Sequence, residues 1–145
     1  MADDLAPSTP HTDAVVAALQ AAQIVVGRAE HPEGGGWQGE PYDSTYVPYA
    51  VLYPSPGVPD GSVAEPLEYL DYSAQINCWG ATAGQAETCA DQVRAALIGK
   101  RLTLPGRRCY RVQTPPGSPP IARVDTPPPP EYRAVVEIAF RSQAL

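Results

Sequence analysis

A chain of 145 residues falls within the size of one domain and is long enough to build one real core, burying about 68% of its unfolded surface. A formal net charge of −6 argues against nucleic-acid binding as the default, and the longest apolar run falls far short of the ~18 residues of a membrane span. The acidic N-terminus MADDLAPSTPH lacks the apolar stretch of a signal peptide, and three cysteines without framework spacing predict reduced, buried thiols and a cytoplasmic origin.

Residues 1–11 are polar and contain proline, which predicts a mobile tail. Thr12 suits a helix N-cap, Asp13 suits the first turn, and Val15, Leu19 and Ala22 mark an apolar face, so a helix is expected over 12–22. The β-branched triplet Ile24-Val25-Val26 then begins a strand that ends near Arg28 or Glu30. Residues 31–43 hold three consecutive glycines and read as a loop. A second strand is expected from Ser44 to Tyr53. There Val47, Tyr49, Val51 and Tyr53 share one face, Ala50 and Leu52 keep the other apolar, and Pro48 marks a sheet edge or a strand start. Four prolines and two glycines make residues 54–66 a surface loop of polyproline character.

The clearest signal follows. Leu70, Tyr72, Ala74, Ile76 and Cys78 alternate with Asp71, Ser73, Gln75 and Asn77, the period of a strand with one buried face. Gly80 and Ala81 end it, and Thr82 with Gln85 forms a capping box that opens a helix. Ala86, Cys89, Ala90, Val93 and Leu97 share one helix face, while Glu87, Asp91 and Arg94 lie on the other. Gly99 is a natural terminator, with Lys100 and Arg101 near the negative helix end. Two short strands are expected over 101–104 and 108–113, joined through a type II turn at Pro105-Gly106. Residues 114–130 contain eight prolines, a density at which no packed element is expected. A last strand over 131–141 puts Tyr132, Ala134, Val136, Ile138 and Phe140 on one face and Arg133, Glu137 and Arg141 on the other. The order α-β-β-β-α-β-β-β predicts an α+β fold: a mainly antiparallel sheet, two helices packed on it, and long Pro-rich loops. Ile76, Cys78, Val93, Leu97, Val136, Ile138 and Phe140 are expected to share its core.

Catalytic chemistry finds no foothold. His11 and His31 are expected in loops without ligand spacing, so no metal site is predicted. Gly34-Gly35-Gly36 lacks the Lys-Ser/Thr of a phosphate loop and reads as a flexible turn. Cys78 and Cys89 read as core thiols, and Glu87 and Asp91 as a solvated helix face. No triad or nucleophile elbow is present, so neither enzyme nor cofactor is predicted. The candidate site is instead a surface. Lys100, Arg101, Arg107, Arg108 and Arg111 put half of the ten basic residues into twelve positions. They read either as a solvated hairpin or as an interface for an acidic neighbouring subunit or for DNA in a pore. Residues 1–99 carry 13 acids against two bases, a net of −11, whereas residues 100–145 carry eight bases against three acids, a net of +5. That split favours association between unlike surfaces of two copies. Trp37, Tyr46, Tyr53 and Trp79 are open to either a core or an interface role. Three long loops, about 45 residues, suit arms laid over neighbours.

The segment SAQINCWGATAGQAETCADQVRAALIGKRL resembles the strand–helix unit of tail terminator (tail-completion) proteins of long-tailed phages, above all those infecting actinobacteria. Thr82, Gln85, Ala86, Glu87, Ala90, Asp91, Val93, Arg94, Ala95, Ala96 and Leu97 stand at the positions that carry the likeness. YVPYAVLYPSPG, residues 46–57, looks like the family's first long strand and proline-rich turn. The resemblance implies one terminator-like domain over residues 1–145 and a non-catalytic virion protein. It implies a homohexameric ring on the head-proximal end of the tail tube that stops tube polymerisation and offers the head–tail joining face. The implied partners are further copies of the chain, the tail tube protein and a head-completion or connector protein, with non-specific contact to DNA in the lumen as an additional option and no membrane. The implied location is the tail or neck of a virion assembled in the bacterial cytoplasm. The alternatives are a head-closure or connector protein or the cap of a phage-tail-like particle. A third class is a small-molecule-binding α+β domain, for which no pocket residue can be named.

Overall fold

The computed structural model describes residues 5–145. Its elements are α1 (Thr9–Ala21), β1 (Val25–Arg28), β2 (Gly36–Trp37), β3 (Tyr46–Val47), β4 (Tyr49–Pro54), β5 (Val58–Asp60), β6 (Tyr69–Gly80), α2 (Ala83–Leu97), β7 (Arg107–Cys109), β8 (Ala122–Val124) and β9 (Glu131–Ala144). The alternating strand of the sequence is β6, and it pairs antiparallel with β9 along its whole length, from Tyr69 opposite Gln143 to Gly80 opposite Tyr132. This register sets Tyr72 against Phe140, Ala74 against Ile138, Ile76 against Val136 and Cys78 against Ala134, and all eight residues are buried on one face. The sheet runs β1-β4-β6-β9-β7, with β5 on β6 and β8 on the opposite end of β9 from β7. Only the β1–β4 pair in it is parallel. Its crossover is the stretch between them, which carries the small β2–β3 hairpin. The fold is therefore α+β, two helices on a mainly antiparallel sheet.

Helix α2 forms where its caps predict. Thr82 Oγ1 accepts from the Gln85 amide at 3.2 Å, and Gln85 Oε1 accepts from the Ala81 amide at 2.8 Å, one residue before the expected N-cap amide. Ala86, Cys89, Ala90, Val93 and Leu97 are buried against the sheet together with the β6 and β9 residues named above. The expected core residues Ile76, Cys78, Val93, Leu97, Val136, Ile138 and Phe140 all belong to this cluster. Gly80 makes the tight turn into α2 feasible, because a Cβ there would lie 2.5 Å from the Ala86 nitrogen. The three cysteines are free and buried, and a hydrogen bond with Cys89, followed by burial, pushes the Cys78 thiol above its ordinary value.

Several expectations are corrected. Helix α1 starts at Thr9, not at residue 12, with Ser8 at the N-cap and Pro10 in the first turn. Residues 9–11, expected in the tail, belong to α1 and Ala6 is already buried, while the part of the expected tail over residues 1–4 lies outside the described residues. Thr12 is no cap; its hydroxyl meets Tyr72 Oη at 2.8 Å inside the core. His11 lies not in a loop but fully buried in α1. Its Nδ1–H donates to the Pro7 carbonyl at 2.9 Å, which leaves Nε2 to accept from Ser142 Oγ at 2.7 Å. The second strand is broken at Pro48 into β3 and β4, as proline at a strand start requires. Short strands β2, β5 and β8 form inside stretches read as loops, each held by a longer partner or a hairpin mate. No strand forms over 101–104, where Leu104 makes only an isolated bridge to Arg107. The 108–113 strand reduces to β7 plus a bridge from Gln113 to Ala139.

Two predictions follow from this packing. Leu97→Ala removes a fully buried side chain at the helix–sheet contact, and urea unfolding should register a loss of about 2–5 kcal/mol. His11 is held neutral chiefly by burial, which lowers its pKa in the folded chain. The unfolded chain therefore binds the extra proton first, and stability should be full above about pH 6.5 and fall as the pH drops below it. Urea unfolding at pH 7.5 and 5.5 should show that loss in the wild type and a smaller one in His11→Gln.

Candidate functional site

The five candidate cations do not form one surface. After α2, Ile98 turns into extended backbone and Gly99, at φ +78°, brings the chain back beside Val112: the Gly99 amide donates to the Val112 carbonyl and the Val112 amide to the Lys100 carbonyl. Gly106, at φ +72°, makes the next turn into β7, the edge strand beside the end of β9. Arg107 points inward there. Its Nε donates to Ser142 Oγ at 2.7 Å, and Nη2 donates to the carbonyls of Glu68 and Ser142, each at 3.2 Å. Ser142 thus links Arg107 to His11, a polar relay that fastens α1, β7 and β9 together. Arg111 donates from Nη1 to the Gly99 carbonyl at 2.8 Å and braces the turn after α2. Lys100, Arg101 and Arg108 remain exposed, and none of the three makes an ion pair among the described residues. Leu102 and Leu104 turn toward the core while Arg101 faces solvent.

The aromatic residues divide as well. Tyr46, Tyr49 and Val51 form a second buried cluster on the sheet face opposite α2, with Trp37, Trp79 and Val25 packed on it. Trp37 meets the Tyr46 ring edge-on at 5.2 Å, and Tyr49 stacks on its register partner Trp79 at 6.3 Å. Trp37 Nε1 and Tyr46 Oη are buried without a hydrogen-bond partner. Tyr53 stands exposed farther along β4. The β2–β3 hairpin therefore covers one end of the outer sheet face, a packing role that sequence left open.

Nothing in the arrangement points to catalysis. No group of three His, Cys, Asp or Glu among the described residues is placed to hold a metal ion. Glu87 and Asp91 are exposed on α2, and Asp91 makes only a 3.9 Å contact with Arg94. The ion pairs with better geometry are structural: Arg141 reaches Asp71 at 2.7 Å and Asp60 at 2.6 Å across three strands, and holds the Asp71 carboxyl below its usual range. No described helix is long and apolar enough to cross a membrane. His11 and Ser142 escape sequence reasoning because their partners lie 131 residues apart. The only local hint was a polar residue inside an apolar helical pattern.

Comparison with known proteins gives the context. The family model described as tail completion protein gp17 matches residues 11–117, from α1 into the stretch before β8. A chain from the virion of a native gene transfer agent particle has a similar fold, with a TM-score of 0.56 and 17% identity over 91% of this chain and 92% of that one. A second solved chain matches with a TM-score of 0.51 and 15% identity, covering 92% of this chain and 96% of that one. No curated protein matches.

The split among the cations is measurable. Arg107→Ala leaves Ser142 and two backbone carbonyls without their charged donor and should cost about 1.5–3 kcal/mol in urea unfolding. Arg108→Ala, on the exposed side of the same strand, should stay within about 0.5 kcal/mol.

Proposed function

The chain belongs to the tail completion protein gp17 family, and from that premise we propose that copies of it form a ring, six to a ring, on the head-proximal end of the tail tube. It is a structural protein of a phage tail and not an enzyme. In this reading the ring ends tube polymerisation and presents the surface to which the head-completion or connector protein docks. Its partners are then further copies, the tube protein and the connector, within a virion assembled in the bacterial cytoplasm. The work is steric: a ring in place denies the next tube subunit its binding surface.

The observation that carries the reading is the family match, which spans both helices and the strands β1 to β7. The charge distribution supports the ring. Three exposed cations that make no ion pair among the described residues, Lys100, Arg101 and Arg108, lie at one end of the sheet, while residues 1–99 are strongly acidic. Unlike surfaces on one chain lead to head-to-tail association, which closes into a ring when the rotation allows. Arg107 and Arg111 belong to the fold and are the wrong residues to probe assembly.

Deleting the gene from its phage should give tails of uncontrolled, increased length that fail to join heads, seen by electron microscopy. Tailless filled or leaking heads would instead identify a head-closure protein. A Lys100→Glu/Arg101→Glu/Arg108→Glu variant should fold normally yet sediment as smaller species than the wild type. Normal rings from it with failed tail joining would place these cations on the lumen, facing DNA or the tube.

A further inference from the structure

One carboxylate stands apart from the rest of the acidic surface. Among the described residues nine carboxylates make no ion pair, Glu131 among them, and what sets Glu131 apart is the cavity it lines. Glu131 is half-buried at the first position of β9, where it lines a cavity of about 330 Å³ walled by His31, Tyr49, Trp79 and the prolines 127–129. Tyr49 Oη donates to its Oε2 at 3.2 Å, and the His31 ring sits 4.5 Å from the Tyr49 ring. Burial and the Glu131 charge both push the Tyr46 and Tyr49 phenols upward, so they stay protonated beside it. Arg133, two positions along the same strand face, does not line the cavity, makes no ion pair among the described residues, and has its Nε buried without a hydrogen-bond partner there.

Aromatic faces around one carboxylate suit a single cationic side chain. The aromatic rings attract the cation, the carboxylate accepts its N–H groups, and the half-open walls shield the pair from part of the water that weakens fully exposed pairs. A guanidinium fits better than an ammonium, because its plane stacks on rings and it sheds water more easily. The chain itself carries an exposed arginine on an edge strand, Arg108 of β7, that makes no ion pair among the described residues. Arg108 sits opposite Gln143, near the far end of β9 from Glu131. Twelve residues of strand separate these ends by about 40 Å, so Arg108 cannot reach its own Glu131.

We infer that the cavity at Glu131 receives Arg108 of a neighbouring copy, so that opposite ends of β9 join head to tail around the assembly. The inference rests on the ring reading above and names the contact between its subunits. Unlike a rim pair, this one is seated in a cavity, so its loss releases subunits instead of merely slowing their encounter.

The test is sedimentation velocity of the full chain over a concentration series, with thermal melting in parallel. Glu131→Gln keeps the oxygen that accepts from Tyr49 and removes the charge; Arg108→Glu reverses its partner. Each should raise the concentration for half-assembly by about tenfold or more with an unchanged melting temperature. The exchanged variant Glu131→Arg/Arg108→Glu should recover assembly, and Arg101→Glu should leave it unchanged. Wild-type rings that survive Glu131→Gln, or an exchanged variant that folds without recovering assembly, would overturn this contact and leave the ring reading standing. A wild-type chain that stays monomeric alone and with tube protein would overturn the ring reading and this contact together.

Discussion

Everything else in the molecule is hung on the twelve-residue register between β6 and β9. Because side chains alternate, this one alignment decides which residues face the helices. A slip by one position would turn Tyr72, Ala74, Ile76 and Cys78 outward and bring Asp71, Gln75 and Asn77 against α2. The register is specified on both faces at once. Inside, Tyr72 opposes Phe140 and Ile76 opposes Val136; outside, Asp71 opposes Arg141, whose guanidinium grips both carboxylate oxygens. The ion pair is part-exposed and adds little by itself. Its contribution is to penalise the alternatives, in which Arg141 would face the core or lose its partner.

What sequence could and could not reveal follows from range. Periodicity in β6 and capping at Thr82 are written within a few residues, so the strand–helix unit and its core residues were legible. So was the mixed character of β4, where Ala50 and Leu52 serve one cluster and Tyr49 and Val51 the other. Strands β2, β5 and β8, of two or three residues each, have no period to read. They exist because a neighbour supplies a ladder, and β5 even accommodates Pro59. The start of α1 was misread because Thr12 and Asp13 look like a cap from inside the chain. The Tyr72 hydroxyl that claims Thr12 is 60 residues away. The candidate surface failed in the same way: five cations in a row of twelve residues look equivalent until Ser142 and the Gly99 carbonyl engage two of them in bonds that hold the fold.

The division between fixed and free cations has a physical logic. A guanidinium supplies several donors in one plane, and the end of a sheet where β7, β9 and the segment before β6 converge leaves several carbonyls to satisfy. Arg107 meets that need and also orients Ser142 toward His11. The same stretch thus closes the fold on its inner side and offers Arg108 on its outer side, as alternation along a strand dictates.

A part that ends polymerisation has to stay soluble as a single copy and yet assemble on its target. The open edges of a sheet threaten the first requirement, because unpaired strands join indiscriminately. Here β7 is three residues long and carries two arginines, and β5 and β8 add only three residues each along β6 and β9. Edge pairing is therefore poorly rewarded, and recognition falls to side chains that fit a particular cavity. In a closed ring each copy uses both of its unlike surfaces, so contacts too weak to hold a pair can sustain the whole. The last copy to enter is held twice, and the step that completes the ring gains the most from effective concentration. Modest individual contacts thus favour complete rings over free fragments.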